Sequence, residues 1–365
     1  MTKILYAVQG TGNGHICRAM DIIPLLRKKG EVDVLVSGTQ ADMELPFEIK
    51  YRFKGLSFIF GKKGGIDLIE TYRKSHLQKL ITEIKSLPVE NYDLVISDFE
   101  PVSSWACYLK NKPCISLSHQ AAVIDKSSPQ AKHIDPVGRS VLKVYAPATT
   151  SYGFHFQSYT EHIFTPVIRK QVREAALGNK GHYTVYLPAY SDRRIIKILS
   201  ECKGIRWEVF SKHFKEKISI DGIDVYPISN TEFINSMAAA EGILCGAGFE
   251  TPAEVMYMNK KLMVIPMKSQ FEQHCNAAAL KEMGVPVLKS LKLKHLHILK
   301  TWIQSGERIK VDYPDNTASV IDAIVARHLQ KIPDQDNLKV LYPDKFTLKQ
   351  LRSLTFKKII SKLAN

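Results

Sequence analysis

Short apolar runs recur along this chain, each closed by glycine, proline or a polar residue, and between them apolar residues return at helical spacing. Residues 3–8 read as a buried strand, a glycine-rich turn follows, and residues 16–29 make an amphipathic helix. Residues 32–37 give a second strand, 67–86 a long polar helix, 93–98 another buried strand, and 113–119 one more, with Pro113 tolerated at the strand start. Residues 151–181 are polar and aromatic; with a helix expected over 166–177, they read as a connector. The alternation then restarts, with strands expected at 183–187, 207–210, 223–226, 243–245, 262–265 and 286–288. The pattern predicts an α/β protein of two doubly wound, Rossmann-like domains facing across a cleft. The expected division is an N-terminal domain at 1–160, a connector at 161–180, a C-terminal domain at 181–330 and a basic tail at 331–365. Ligands of such open sheets lie beyond the C-terminal strand ends, which is where chemistry is sought.

A chain of 365 residues is long enough for two hydrophobic cores, and 45% hydrophobic with 24% charged residues is the composition of an ordered domain. No stretch approaches the roughly 18 apolar residues of a membrane span, and the opening apolar run is short for a signal peptide, so a cytoplasmic protein is expected. The six cysteines form no C-x-x-C pair, which argues against a zinc site or a disulfide framework and for reduced packing residues. The net charge of +15 points to anionic partners such as phosphates, acidic lipids or nucleic acid, without choosing between them. Part of that charge is concentrated in the tail, where Lys345, Lys349, Arg352, Lys357, Lys358 and Lys362 alternate with apolar residues. This suits a cationic helix on an anionic membrane surface, or one packed back on the body.

Residues 242–277 hold the densest chemistry. Ile243, Leu244 and Cys245 form an apolar run stopped by Gly246 and Gly248. Thr251, Pro252 and Glu254 then spell a helix start, with Thr as cap, Pro at the first position and Glu at the third. Two readings stand open here. One is an ordinary capping box. The other is a diphosphate seat, since the N–H groups of a helix start favour an anion and glycines let it approach the backbone.

This stretch resembles the donor-binding signature of the inverting GT-B glycosyltransferases that use nucleotide sugars. That group includes plant and animal UDP-sugar transferases and the lipid-linked N-acetylglucosaminyltransferase of peptidoglycan synthesis. Gly248 fits the turn glycine, Thr251 the hydroxyl residue beside the phosphates, Glu254 the glutamate that holds the ribose, and Pro266 the proline closing the next strand. Glu272 and Gln273 fit the pair that contacts the donor sugar, and Asn276 the Asn opening the following helix. Gly246 stands where the plant form has a histidine, and the loop before Glu272 is longer. The resemblance therefore implies phosphate contacts from backbone and Thr251.

In the first half, the loop Gly10-Thr11-Gly12-Asn13-Gly14-His15 lacks the third glycine of a dinucleotide fingerprint, and the second strand ends without an acid for a ribose. With Arg18 it resembles instead the first loop of the same transferases, where a histidine faces the acceptor hydroxyl; Gly12 and Gly14 would border the donor. The adjoining helix N-terminus disfavours imidazolium, which suits His15 as a neutral base. Asp98, ending its strand, stands where plant members have the Asp that pairs with that histidine; the alternative is a cap for a helix starting near Pro101. Arg18 is a phosphate or acceptor candidate, or solvent-facing. His119 is a candidate at the cleft, or a core histidine. Lys62-Lys63-Gly64-Gly65 resembles a mobile basic loop over an acceptor, and Asp334-Gln335-Asp336 spells a metal motif without the strands that would support it.

The resemblance implies a GT-B, metal-independent, inverting glycosyltransferase with no cofactor and a nucleotide sugar, expected to be a UDP-sugar, as co-substrate. Lipid-linked, lipid or glycan acceptors are the expected partners, with peripheral contact to an anionic membrane surface, and nucleic acid is disfavoured. The alternatives are a nucleotide-sugar 2-epimerase of the same fold and a basic binding protein without catalysis.

Overall fold

The computed structural model describes residues 1–38, 45–55, 77–131, 136–268 and 270–329. The loop at Lys62 to Gly65, Asp334 and Asp336, and the cationic tail lie outside the described residues. The first half runs β1 (Lys3–Gln9), α1 (Asn13–Arg27), β2 (Glu31–Ser37), β3 (Tyr51–Phe53), α2 (Leu77–Ser86), β4 (Leu94–Asp98), α3 (Pro101–Leu109), β5 (Ile115–Ser118), α4 (His119–Ile124), α5 (Pro136–Tyr145), β6 (Thr150–Phe154) and β7 (Ile163–Phe164). A short α6 (Lys170–Arg173) leads into β8 (His182–Tyr186), α7 (Asp192–Leu199), β9 (Arg206–Ser211), β10 (Ile218–Ile220), β11 (Ile223–Pro227), α8 (Asn230–Ala239) and β12 (Gly242–Gly246). The chain continues through α9 (Glu250–Tyr257), β13 (Lys261–Ile265), α10 (Phe271–Glu282), α11 (Leu296–Gln304) and α12 (Thr317–Leu329).

Two sheets result. The first is seven-stranded in the order β3-β2-β1-β4-β5-β6-β7, and the second six-stranded in the order β10-β11-β9-β8-β12-β13. Every pairing is parallel except β10 with β11. The period of two is visible in the packing. Ile4, Tyr6 and Val8 of β1 join one core cluster while Leu5 and Ala7 join another on the opposite face, which is why the run is apolar throughout. Likewise Ile243 and Cys245 of β12 point into one cluster and Leu244 into another. The strand order reverses between β1 and β4 in the first sheet and between β8 and β12 in the second, and at such switch points the loops diverge and leave a crevice.

Three expectations change. The stretch read as a connector contains two strands of the first sheet, because Tyr152 and Phe154 are buried and Gly153 lets α4 come close: a Cβ there would stand 2.6 Å from Ala122. The helix expected over 166–177 shrinks to α6, since the chain beyond it bonds the second half instead, Gly178 N to Ala238 O and Lys180 N to Ala239 O. Residues 286–288 make only one isolated bridge, Val287 to Val264, rather than a strand.

Candidate active site at the two switch points

The loop after β1 feeds directly into α1, whose N-cap, Gly12, is extended and makes no side-chain cap bond. His15 lies on the first turn of that helix. Its Nδ1 stands 2.8 Å from Oδ1 of Asp98, the last residue of β4, so strands adjacent in the sheet bring together residues 83 positions apart. A carboxylate at that distance requires a proton between the two atoms, which places it on Nδ1 and leaves the lone pair on Nε2. Nε2 is 3.4 Å from the side-chain amide nitrogen of Gln120, which donates to it, and the same amide donates to Glu272 Oε2 at 3.0 Å.

Arg18, one helical turn on, is buried rather than facing solvent. Its Nε donates to Asp98 Oδ2 at 3.0 Å, its Nη2 to Asp98 Oδ1 at 2.7 Å, and its Nη1 to Glu250 Oε1 at 2.7 Å. Burial alone would raise the pKa of Asp98, but the charge of Arg18 and the hydrogen bonds from His15 and Arg18 hold it below the ordinary carboxylate value. Burial works against the charge of Arg18 in the same way, and Asp98 and Glu250 more than offset it. Beyond Asp98, Phe99 adopts a left-handed backbone (φ 55°), an uncommon state for a bulky residue at a candidate site. The turn lets Glu100, not Asp98, cap α3 by accepting from Val102 N and Ser103 N.

In the second half, the turn after β12 opens α9 two residues earlier than the sequence pattern indicated. Phe249 is the N-cap, without a side-chain bond, so Thr251 falls inside the helix and the expected capping box does not form. Glu254 instead turns to the segment before α6. It is 2% exposed, and Arg169 forks onto it, Nε to Oε1 at 2.5 Å and Nη2 to Oε2 at 2.7 Å, while Arg169 Nη1 reaches Asn230 Oδ1 at 2.5 Å. A side chain on Gly12 or Gly248 would meet nothing within 4 Å, so open space adjoins both turns. A Cβ on Gly246 would lie 3.7 Å from Gln273 Oε1, which also accepts from Met267 N. Gly14 differs, since its Cβ position is filled by the Glu250 carboxylate at 2.4 Å.

His119 sits at the start of α4 as a buried ring. It is within 2.8 Å of Phe154 O through Nδ1 and of Asn276 Oδ1 through Nε2, and it stacks on Phe249 at 3.9 Å. Burial lowers its pKa. It joins the two halves but has no ring nitrogen left for a ligand.

The structure thus gathers His15, Asp98, Arg18 and Glu272 at one place, sets Glu254 against Arg169, and leaves the turns at Gly12 and Gly248 open. Sequence reasoning missed Glu250, Gln120 and Arg169. Glu250 was visible as an acid inside a glycine turn; for the other two no local signal exists, because their partners come from other elements. All six cysteines are buried and none forms a disulfide. Among the described residues no group of three or more His, Cys, Asp or Glu stands ready for a metal, and no helix is long and apolar enough to cross a membrane.

No curated protein sequence matches the chain. Among solved structures, Staphylococcus aureus MnaA with UDP matches at TM-score 0.54 and 13% identity, over 95% of this chain and 100% of that one. Arabidopsis thaliana UGT89C1 complexed with UDP matches at TM-score 0.53 and 12% identity, over 90% and 100%. Acinetobacter baumannii MurG matches at TM-score 0.52 and 14% identity, over 89% and 100%. At such identities the likeness establishes the fold, GT-B. The profile of glycosyl transferase family 1 matches residues 2–304, most of the length, and the chain belongs to that family.

Proposed function

We propose that this glycosyltransferase moves a sugar from a nucleotide donor, a UDP-sugar, to an acceptor hydroxyl by direct displacement with inversion. The observation that carries this reading is the His15 to Asp98 contact at the ends of β1 and β4, with the Nε2 lone pair left toward Gln120. An acceptor hydroxyl taking the place of the Gln120 amide would pass its proton to Nε2 as its oxygen bonds the anomeric carbon. The bond from that carbon to the diphosphate breaks and UDP leaves with the electron pair. Asp98 then stabilises the imidazolium, as the acid of a triad does.

The leaving diphosphate is assigned to the open turn from Gly248 to Thr251, where the uncapped start of α9 presents N–H groups to negative charge. Gly12 and Gly14, at the start of α1, border the donor from the other half, and Gly246 opens the floor of the turn. Glu272 and Gln273 are assigned to the sugar hydroxyls. Glu254 anchors the second turn to Arg169; the ribose contact expected of it would require it to exchange an Arg169 N–H for a sugar hydroxyl. Arg18 acts through Asp98, since all three of its nitrogens are engaged. The reading assigns no metal and no cofactor, and lipid-linked, lipid or glycan acceptors, with peripheral contact to an anionic membrane through the cationic tail. The test is a thermal-shift screen of nucleotide sugars. A ligand at 100 times its Kd stabilises by about 2.7 kcal/mol, so a UDP-sugar should raise the midpoint, and absence of a shift from every UDP-sugar would refute the donor assignment.

A further inference from the structure

We infer that Glu250 is a positioning residue for the base, a carboxylate delivered from the second half that completes the charge balance around His15. The His15 Nδ1 proton points at Asp98 Oδ1, yet the Nη2 of Arg18 also stands 3.1 Å from that same nitrogen. Arg18 therefore has two opposite effects on the base. It fixes the Asp98 carboxylate through two hydrogen bonds, and it sets a positive charge beside a ring that must itself become positive when it takes a proton. Glu250 answers the second effect. Its Oε1 accepts from Arg18 Nη1 at 2.7 Å, across 232 positions of sequence, while its carboxylate fills the place of a Cβ on Gly14, the residue before His15. That contact explains a glycine inside the first turn of α1, where an ordinary side chain would otherwise be preferred.

The charged and titratable groups facing His15 are Asp98 from β4, Arg18 from its own helix, Glu250 from α9, and Glu272, which reaches the ring through Gln120 from α10. Tyr6 of β1 adjoins Asp98 and Arg18, and burial keeps it neutral by raising its pKa. Of these, the acids on α9 and α10 belong to the second half. The charge beside His15 consequently depends on how the two halves meet: with Glu250 in place Arg18 is balanced by two carboxylates, and without it Asp98 alone would balance Arg18 and a protonated ring. The consequence for catalysis rests on the reading of His15 as the base; the effect on its titration does not.

The experiment is an NMR titration of the His15 ring in the full chain, assigned by its loss in His15→Asn, in wild type, Glu250→Gln and Gly14→Ala. Glu250→Gln keeps an oxygen for Arg18 and removes the charge. Gly14→Ala keeps the charge and displaces it, since the group in the way is the movable end of a side chain. Both should move the His15 midpoint down, because each takes a negative charge away from Arg18 and the ring beside it. The double variant should move it no further. In transfer assays the acid limb of kcat should move down with it. A His15 midpoint equal to wild type in both folded single variants would overturn the inference. Retention of full transfer by His15→Asn would instead remove the base assignment while leaving the titration result standing.

Discussion

Replacing Glu254 by Ala would leave Arg169 with two N–H groups that have lost a carboxylate, in a place where water scarcely reaches: the side chains are 2% and 12% exposed for Glu254 and Arg169. Breaking a buried pair from one side costs about 3–5 kcal/mol. Counting the two charge-assisted bonds at about 1.5–3 kcal/mol each gives a similar figure. Asn230 still accepts from Nη1, and the slight exposure of Arg169 admits some water, so the lower end, about 3 kcal/mol, is expected. At about 2–4 °C per kcal/mol for domains of this size, the melting temperature should fall by roughly 6–12 °C. The loss of a helix cap would cost only about 1 kcal/mol, and no cap bond is made. Restoring an apolar pair with Glu254→Leu and Arg169→Met should recover most of the loss, because the pair repays its own desolvation poorly. Thermal melts with UDP titrations on the same variants decide the matter. If Glu254→Ala melts within about 2 °C of wild type while UDP affinity collapses, the carboxylate serves the ribose and the structural argument is wrong.

Asp98→Asn should slow transfer by about 100-fold or more, because an amide no longer fixes the His15 tautomer; initial rates at fixed donor measure this. The same variant should lose stability in a pH-dependent way. The folded pKa of Asp98 is lowered, so its contribution is present above the unfolded value of about 3.9 and fades as pH falls through the folded one; the gap in urea midpoint between wild type and Asp98→Asn should narrow on acidification. His119 has the opposite sense. Its folded pKa is lowered by burial, so the unfolded ring takes up a proton first and stability falls as pH drops below about 6.5. His119→Gln should flatten that slope in urea midpoints between pH 7 and 5, and an unchanged slope would assign it to His155, which burial also holds low.

What the sequence made legible was whatever is written locally. The apolar runs of β1, β4, β8, β12 and β13 are buried on both faces and so read as strands without ambiguity, and the residues that end or follow them, His15, Asp98 and Gly248, were marked by their position together with the resemblance of their motifs. β6 was not legible because Ser151 and Gly153 are poor strand signals in so short a run; Gly153 accepts α4 at close range. The partners of the site were hidden for a different reason. Arg18 looked like a solvent or phosphate residue because Asp98 and Glu250 reach it across 80 and 232 positions, and Glu254 looked like half of a capping box because Arg169 lies 85 positions away. The pair of Arg18 with Asp98 exists only once the first sheet has formed, and that with Glu250 only once the two halves have docked.

The central claim, that His15 is the base of sugar transfer, is tested most directly by UDP release from a donor and acceptor pair with wild type and His15→Ala, alongside UDP-sugar affinity for both. The account predicts that turnover falls by about 100-fold to 10,000-fold while affinity stays within about twofold, since the ring acts only in the transition state. Full turnover by His15→Ala at unchanged affinity would contradict it.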